Sequence, residues 1–327
     1  MKQRVQIRDI VAERGQKVQG FVTVGETASG VLQFPLVLIN GREDGPIMCF
    51  TGGVHATEYA PIDAVMRLVQ ELQPDNLRGA IIAVPVTNVR MFEHRTGFIS
   101  PLDGLNLNKI APGRKDGSIT EILAHVMLEE IIGAAQYHID FHAGDLGEML
   151  LAFAGYALTG DREQDQKGEA LARAFSPRLI SLSTPGSVVP PFAATLNYEA
   201  VRRGVVSILA ESGGNGTLEE ADVQVHLDGA RNVLRHLGMI DGTPVTGPRI
   251  AGVNRVVVRA TRGGLVRLKV QLGEEIHAGQ EVAELCNVFG EVVEHVHTPG
   301  AGIVGLIWSH KVVNTGDPIV RYWVTEP

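Results

Sequence analysis

The sequence predicts an α/β protein: a central sheet, mostly parallel or mixed, is flanked by helices and followed by a small all-β domain. Up to about residue 240, apolar strand-like runs alternate with segments of helical periodicity, which is typical of a sheet covered on both faces. After residue 247, short β-branched runs are separated by glycines. We therefore predict a large α/β domain over residues 1–245 and a small β-sandwich or barrel over residues 246–327.

The elements of the first domain follow from local patterns. Alternating or continuous apolar runs predict strands at 5–7, 21–24, 36–39, 47–50, 80–86, 137–142, 179–182 and 205–210. Helical spacing predicts helices at 61–72, from 118 to about 132, at 162–175, 198–203 and 219–237. GREDGP (41–46) predicts a turn, and residues 90–114, rich in Gly, Pro and Asn, predict an active-site loop.

The C-terminal segment contains a weak internal repeat. Residues 263–285 resemble residues 301–323, and each copy has a glycine-led strand, a polar turn and a second strand. Two similar halves of this kind predict a small sandwich or barrel.

The composition excludes several classes of protein. The net charge of −8 and the absence of Lys/Arg clusters argue against a nucleic-acid partner. The chain has two cysteines, Cys49 and Cys286, far apart in sequence, which fits a reducing compartment. No run approaches the roughly 18 apolar residues of a membrane span, and the N-terminus lacks the apolar core of a signal peptide. We expect a soluble, cytoplasmic protein without a membrane partner.

A candidate metal site begins with His55 and Glu58, an H-x-x-E pattern that follows a buried strand and a glycine pair. Both side chains can point to one side if a helix begins there, although with eleven histidines the bare pattern also arises by chance. His142 ends a predicted strand at the sheet edge where ligands gather. Asp140 could orient it, or the two could be a satisfied polar pair. His138 competes as a ligand but lies at the other end of its strand.

Two further groups complete the candidate site. Glu211 closes an apolar strand, where poor solvation raises the pKa of a carboxyl and suits a general base; a helix cap or salt-bridge partner is the alternative. The predicted loop supplies polar and cationic side chains that could stabilise an oxyanion or bind a substrate carboxylate, unless they are ordinary surface groups. They are Arg95, Asn108, Lys109 and Arg114.

Four motifs in this order carry a resemblance to a known family. GGVHATEY, NLNKIAPG, HIDFH and ILAESGG together resemble the succinylglutamate desuccinylase/aspartoacylase family of the zinc carboxypeptidase superfamily, over residues 45–240. The C-terminal region is similar to the small β-domain of these deacylases.

The resemblance implies a zinc carboxypeptidase-like fold and a set of roles. One zinc ion per chain is held by His55, Glu58 and His142, and Glu211 is the base that activates a zinc-bound water. Arg95 polarises the scissile carbonyl and binds substrate. Asn108 helps to hold the substrate carboxylate.

One residue departs from the family pattern. Lys109 stands where the family has an arginine, and lysine lacks the planar fork that grips a carboxylate. A free carboxylate on the substrate is therefore in question, or it is held differently, with Arg114 as a candidate.

The resulting hypothesis is a zinc-dependent amidohydrolase that cleaves a small N-acyl amino acid or a related N-acyl compound. One alternative is a metallocarboxypeptidase that acts on short peptides. Another is a non-catalytic carrier or binding protein that uses the C-terminal domain, although residues 286–291 contain no lysine for a carried group. Otherwise this domain is expected to narrow access to the zinc or to form a contact in a homo-oligomer.

Overall fold

The structure, a computed structural model, describes residues 4–175, 179–183, 194–245 and 250–325. Within these ranges the helices are α1 (Tyr59–Glu71), α2 (Val89–His94), α3 (Ile119–Val126), α4 (Arg162–Phe175), α5 (Leu196–Arg202) and α6 (Glu220–His236). The strands are β1 (Val5–Ile7), β2 (Ile10–Ala12), β3 (Gln16–Thr27), β4 (Gly30–Asn40), β5 (Glu43–Thr51), β6 (Arg78–Val84), β7 (Tyr137–His142), β8 (Glu148–Ala157), β9 (Leu179–Ser183), β10 (Val206–Gly214), β11 (Ile250–Arg259), β12 (Gly264–Leu268), β13 (Glu275–Ile276), β14 (Glu281–Cys286), β15 (Val292–His297), β16 (Gly302–Trp308), β17 (Val312–Val313) and β18 (Pro318–Thr325).

The central sheet is mixed, with a parallel middle. Its order is β9-β8-β10-β7-β5-β6-β4-β3, in which β10, β7, β5 and β6 run parallel and β8 and β4 are antiparallel to their inner neighbours. One face packs against α1, α4 and α6, and the other against α3 and α5. This arrangement confirms the predicted fold class. It also brings the carboxyl ends of β5, β7 and β10 to one edge.

Helix α3 shows how closely local sequence signals set an element. Ser118 is its N-cap, and the backbone N–H of Ser118 donates to Glu121 Oε2 at 2.7 Å, the reciprocal bond of a capping box. Apolar residues of the helix, such as Leu123 and Val126, are buried against the sheet. The predicted helix start is confirmed.

The C-terminal strands form two halves that exchange a short strand. In the first half β12 pairs with β14, and in the second β16 pairs with β18. The short strand β13 of the first half pairs with β16, while the short strand β17 of the second half pairs with β12. This exchange explains the internal repeat and confirms an all-β C-terminal region.

Five strands close into a ring that joins the C-terminal strands to the central sheet. The pairings run from β8 to β9, β11, β18 and β16, and β16 returns to pair with β8. Phe153 of β8 and Trp323 of β18 pack inside this ring with ring centroids 5.3 Å apart. The boundary predicted between residues 245 and 246 remains a prediction, because residues 246–249 are outside the described residues.

Gly305 is a tight contact inside the C-terminal strands. A Cβ at this position would lie 1.2 Å from Cζ3 of the fully buried Trp323. We expect Gly305→Ala to lower the free energy of unfolding by about 1–3 kcal/mol, because an extra methyl group in a packed core forces its neighbours to shift. Urea unfolding measures the loss. Gly263→Ala, whose Cβ would meet nothing closer than 3.4 Å, is the control; equal stability of the two variants would show that the ring interior can repack.

Three parts of the prediction were wrong or incomplete. The turn predicted at 41–46 lies largely in β5, which begins at Glu43 and absorbs the Gly-Pro pair in a register shift between Glu43 and Ile47. β8 was not predicted, because its apolar run has no clear period of two. The loop predicted at 90–114 begins with helix α2, which starts at Val89. No helix in the described ranges is long and apolar enough to cross a bilayer.

Candidate metal and substrate site

The turn after β5 places His55 and Glu58. β5 ends at Thr51, and Gly53 takes the left-handed conformation, with φ of +65°, that lets the chain reverse. Glu58 is then the N-cap residue of α1, which begins at Tyr59. Both His55 and Glu58 are buried, so the pair is fixed beneath the surface at the carboxyl edge of the sheet.

Glu58 lies between two histidines. Its Oε1 is 2.9 Å from Nδ1 of His55, and its Oε2 is 3.0 Å from Nδ1 of His142, the last residue of β7. The backbone N–H of Ala143 also donates to Oε2. Although burial raises the pKa of Glu58, the charges of His142 and His55 lower it to about 2. The three side chains offer ligand atoms that all lie within 4.8 Å of one another.

The outer nitrogen of each histidine faces an acceptor. Nε2 of His55 is 3.1 Å from Oδ1 of Asn106, an oxygen that also accepts the backbone N–H of Asn108. Nε2 of His142 is 3.3 Å from Oδ2 of Asp140. Nε2 of each ring can donate toward the oxygen that it faces, and whenever the ring is neutral in that tautomer the lone pair of Nδ1 faces a carboxylate oxygen. Two acceptor atoms that face each other can share a bound cation, so this donor set fits a metal ion.

Asp140 is the end of a buried hydrogen-bond chain. Its Oδ1 accepts from Thr51 Oγ1 at 2.6 Å, and Thr51 Oγ1 lies 2.8 Å from Nε2 of His138. Nδ1 of His138 lies 2.7 Å from Ser207 Oγ. Burial lowers the pKa of His138 to about 4, so its ring is neutral and can donate at Nε2 and accept at Nδ1. His138 thus lies away from the cluster and holds Asp140 through Thr51.

We expect Asp140→Asn to weaken metal binding by about 10- to 100-fold, because the amide no longer fixes the proton on Nε2 of His142 with a charge. Competition with a chelator measures the affinity. Asp9→Asn, at an exposed aspartate, is the matched control. Unchanged affinity in Asp140→Asn would mean that Asp140 has only a structural role.

Glu211 lies beside the cluster. In the pairing of β10 with β7 it stands directly opposite His142, and in the pairing with β8 it is opposite Phe153. Its Oε2 is buried and has no hydrogen-bond partner among the described residues. Burial raises the pKa of Glu211 well above the usual value. β10 continues past Glu211 to Gly214 with a register shift, so this residue lies within the strand and not at its end as predicted.

Of the four loop residues predicted to contact the substrate, three are exposed and one holds a neighbouring helix. Arg95 is exposed and ends α2 in the left-handed conformation, and Lys109 is exposed at the end of a short 3-10 turn. Arg114 is exposed and pairs with Asp116. Oδ1 of Asn108 accepts the backbone N–H of Leu196, so this side chain positions the start of α5. Their roles toward a substrate stay predictions.

Asn106, Asp145 and Phe98 are site residues that the sequence reasoning missed. Asp145 accepts hydrogen bonds from Thr57 Oγ1 and from the backbone N–H of Phe98. The ring of Phe98 packs edge-on against His55 with centroids 5.0 Å apart. Asp145 therefore ties the loop to the cluster of His55, Glu58 and His142. In the sequence, Asp145 could have been noticed by its position three residues after His142. Spacing alone, however, does not show which loop Asp145 holds.

A second group of potential ligands lies on the C-terminal strands. Glu281 and Glu284 of β14 approach His295 of β15, and Nδ1 of His295 is 2.9 Å from Glu281 Oε1. Lys269 pairs with Glu284 at 3.0 Å. These side chains are partly or fully exposed and are already paired with one another, so they form an ordinary surface cluster.

The mixed sheet with this site at its carboxyl edge is the fold of the desuccinylase/aspartoacylase class. A crystal structure of a succinylglutamate desuccinylase/aspartoacylase from Rhodobacter sphaeroides matches 99% of this chain and 98% of its own, with a TM-score of 0.88 and 24% identity. The product-bound structure of the ectoine utilization protein EutE from Ruegeria pomeroyi matches the same shares, with a TM-score of 0.88 and 23% identity. At these sequence identities, the structural similarity shows that the fold is shared.

Sequence comparison gives the family. Residues 44–237 match the succinylglutamate desuccinylase/aspartoacylase catalytic domain. The N-alpha-acetyl-L-2,4-diaminobutyric acid deacetylase of Halomonas elongata is 29% identical over 304 residues, which are 90% of this chain and 86% of that protein. The chain belongs to the succinylglutamate desuccinylase/aspartoacylase family, which confirms the family predicted from the four motifs.

Proposed function

We propose that the protein is a zinc-dependent deacylase that hydrolyses the amide bond of a small N-acyl amino acid. The observation that carries the proposal is the pair of Nδ1 atoms, on His55 and His142, that converge on Glu58 beside the buried carboxyl of Glu211. Membership of the family supports an enzyme that acts on amides.

His55, Glu58 and His142 would hold the metal, because two nitrogens and a carboxylate are a ligand set that zinc accepts in hydrolytic enzymes. When bound, zinc supplies a Lewis acid that lowers the pKa of water and polarises a carbonyl oxygen. Asn106 and Asp140 keep both Nδ1 atoms turned inward. Other divalent ions suit such a site as well, and availability helps to decide among them.

Glu211 is the proposed general base. Its Oε2 accepts the proton of the attacking water and returns it to the nitrogen of the departing amine. The raised pKa of this buried carboxyl suits both transfers, because the group must accept a proton and then release it. Arg95 stays a candidate for stabilising the oxyanion.

The substrate proposed is an N-acetylated amino acid of small size. The support is the Halomonas elongata relative, whose name states that it deacetylates N-α-acetyl-L-2,4-diaminobutyrate. We also propose that the protein acts in the cytoplasm without a nucleic-acid or membrane partner. The net charge of −8 argues against a nucleic-acid partner, and two free cysteines fit a reducing compartment.

A substrate screen tests the proposal. Purified protein loaded with zinc is incubated with N-acetyl amino acids, including N-α-acetyl-L-2,4-diaminobutyrate, with N-succinyl amino acids and with short peptides. Release of acetate or succinate is expected, and release only of C-terminal amino acids from peptides would show a carboxypeptidase instead. Elemental analysis of the same sample identifies the metal.

A further inference from the structure

Two arginines of the C-terminal strands lie on one inner surface of the five-strand ring. In the pairing of β11 with β18, Arg255 stands opposite Trp323 and Arg321 stands opposite Val257. Opposite residues share a face, and so do residues two apart on one strand. Arg255 and Arg321 therefore lie on the face of Trp323, which packs against Phe153 inside the ring.

This surface adjoins the candidate metal site. Phe153 is opposite Glu211 in the pairing of β8 with β10, and the Cζ of Arg255 lies 5.6 Å from the centroid of the Phe153 ring. Both arginines also lie close enough to Glu211 for the charge of its carboxylate to raise their pKa. The two guanidinium groups therefore border the space next to the general base.

Aromatic rings and a serine fix both guanidinium groups. Nε and Nη2 of Arg255 donate to Ser181 Oγ at 3.1 and 2.6 Å. The Cζ of Arg321 lies 5.2 Å from the centroid of the Trp308 ring. Stacking on a ring holds a guanidinium plane in place and leaves its edge for hydrogen bonds. Among the described residues, the guanidinium of Arg321 makes no hydrogen bond or ion pair.

The two cations lie side by side in half-buried positions. Burial and the charge of Arg321 lower the pKa of Arg255 to about 10, and burial also lowers the pKa of Arg321. Glu148, opposite Trp308 in the pairing of β16 with β8, is the nearby acid, but burial raises its own pKa and so favours its neutral form. An anion bound at the edge of Arg321 would stabilise both arginines.

We propose that Arg321, with Arg255 beside it, binds the free carboxylate of the N-acyl amino acid substrate. This inference rests on the proposed deacylase function and names the group that the C-terminal strands recognise. A carboxylate accepts two parallel N–H bonds from a guanidinium edge, which the exposed Lys109 cannot offer. Arg114 is also exposed and pairs with Asp116. The carboxylate that Lys109 left in question is therefore held by the C-terminal strands.

The test compares an acid substrate with its amide. Wild-type and Arg321→Gln proteins are assayed on N-α-acetyl-L-2,4-diaminobutyrate and on the same compound with a primary carboxamide. We expect kcat/KM for the acid to fall by about 10- to 100-fold in Arg321→Gln, the loss of a charge-assisted pair, with the amide nearly unaffected. Arg267→Gln, at an exposed arginine of β12, is the control. The acid-to-amide ratio does not depend on the fraction of protein that is folded.

An equal fall for acid and amide would overturn the inference and leave the proposed function standing. If the wild type hydrolysed neither compound, the proposed function would fail for this substrate. A binding measurement would then test whether Arg321 recognises the carboxylate. The two tryptophans of the chain, Trp308 and Trp323, both lie on this surface, so tryptophan fluorescence shows whether a ligand is bound there. In metal-stripped protein we expect the acid, but not the amide, to change the fluorescence, with weaker binding to Arg321→Gln and partial recovery in Arg321→Lys. No change with either ligand would overturn the inference.

Discussion

Replacing His142 by alanine is expected to abolish both zinc binding and activity. The substitution removes one of three proposed protein ligands and leaves Oε2 of Glu58 without the imidazole that now lies 3.0 Å away. Wild-type protein is expected to bind one zinc per chain, and His142→Ala none, by elemental analysis after dialysis. Activity on the best N-acyl substrate is expected to fall below detection, because water is no longer activated by a metal.

Thermal unfolding gives a readout that does not depend on activity. A ligand at 100 times its dissociation constant adds about 2.7 kcal/mol to the free energy of unfolding, so zinc should raise the Tm of stripped wild-type protein by about 5 °C. His142→Ala should show no such rise. His236→Ala, at an exposed histidine of α6, is the control and should behave as wild type. A full zinc-dependent rise in His142→Ala would rule out the ligand set proposed here.

The parts of the site that the sequence predicted are those set by short stretches of chain. His55 and Glu58 lie three residues apart just before the start of a helix, and His142 ends a strand whose bounds, Tyr137–His142, were predicted correctly. Because parallel strands end at a common edge, these side chains could be expected to meet, and the structure places them together. Whether they bind zinc stays a prediction.

The parts that the sequence did not predict depend on contacts between distant segments. Arg321 reaches the site only because β16 pairs with both β18 and β8, which brings residues near 150 and 320 to one wall. No local sequence pattern indicates that these strands close into a ring, and β8 itself was not predicted. Asn106 acquires its role from His55, fifty-one residues earlier, and not from its own motif. The loop cations were judged by charge and by the family resemblance, and Arg95, Lys109 and Arg114 all proved to be exposed.

Glu211→Gln is expected to separate catalysis from metal binding. The amide keeps the shape of the side chain but cannot accept a proton, and a positioned general base contributes about 10²- to 10⁴-fold to the rate. We expect kcat to fall by about that factor while KM changes little, because the substrate carboxylate is held by other residues. The variant should retain one zinc per chain, since Glu211 makes no hydrogen bond to the three proposed ligands in the described structure.

The folding of Glu211→Gln is expected to be intact or improved. The carboxyl of Glu211 is buried with an unpartnered Oε2, and an unpaired buried acid costs stability that a neutral amide reduces. A Tm equal to or above that of the wild type, together with a large loss of kcat, would be the signature of a group kept for chemistry at the expense of stability. Glu219→Gln, at an exposed position before α6, controls for the substitution itself. Near-wild-type turnover of zinc-loaded Glu211→Gln would assign the proton transfer to another group, and Glu148, a neighbouring acid outside the proposed metal ligands, is the one to test next.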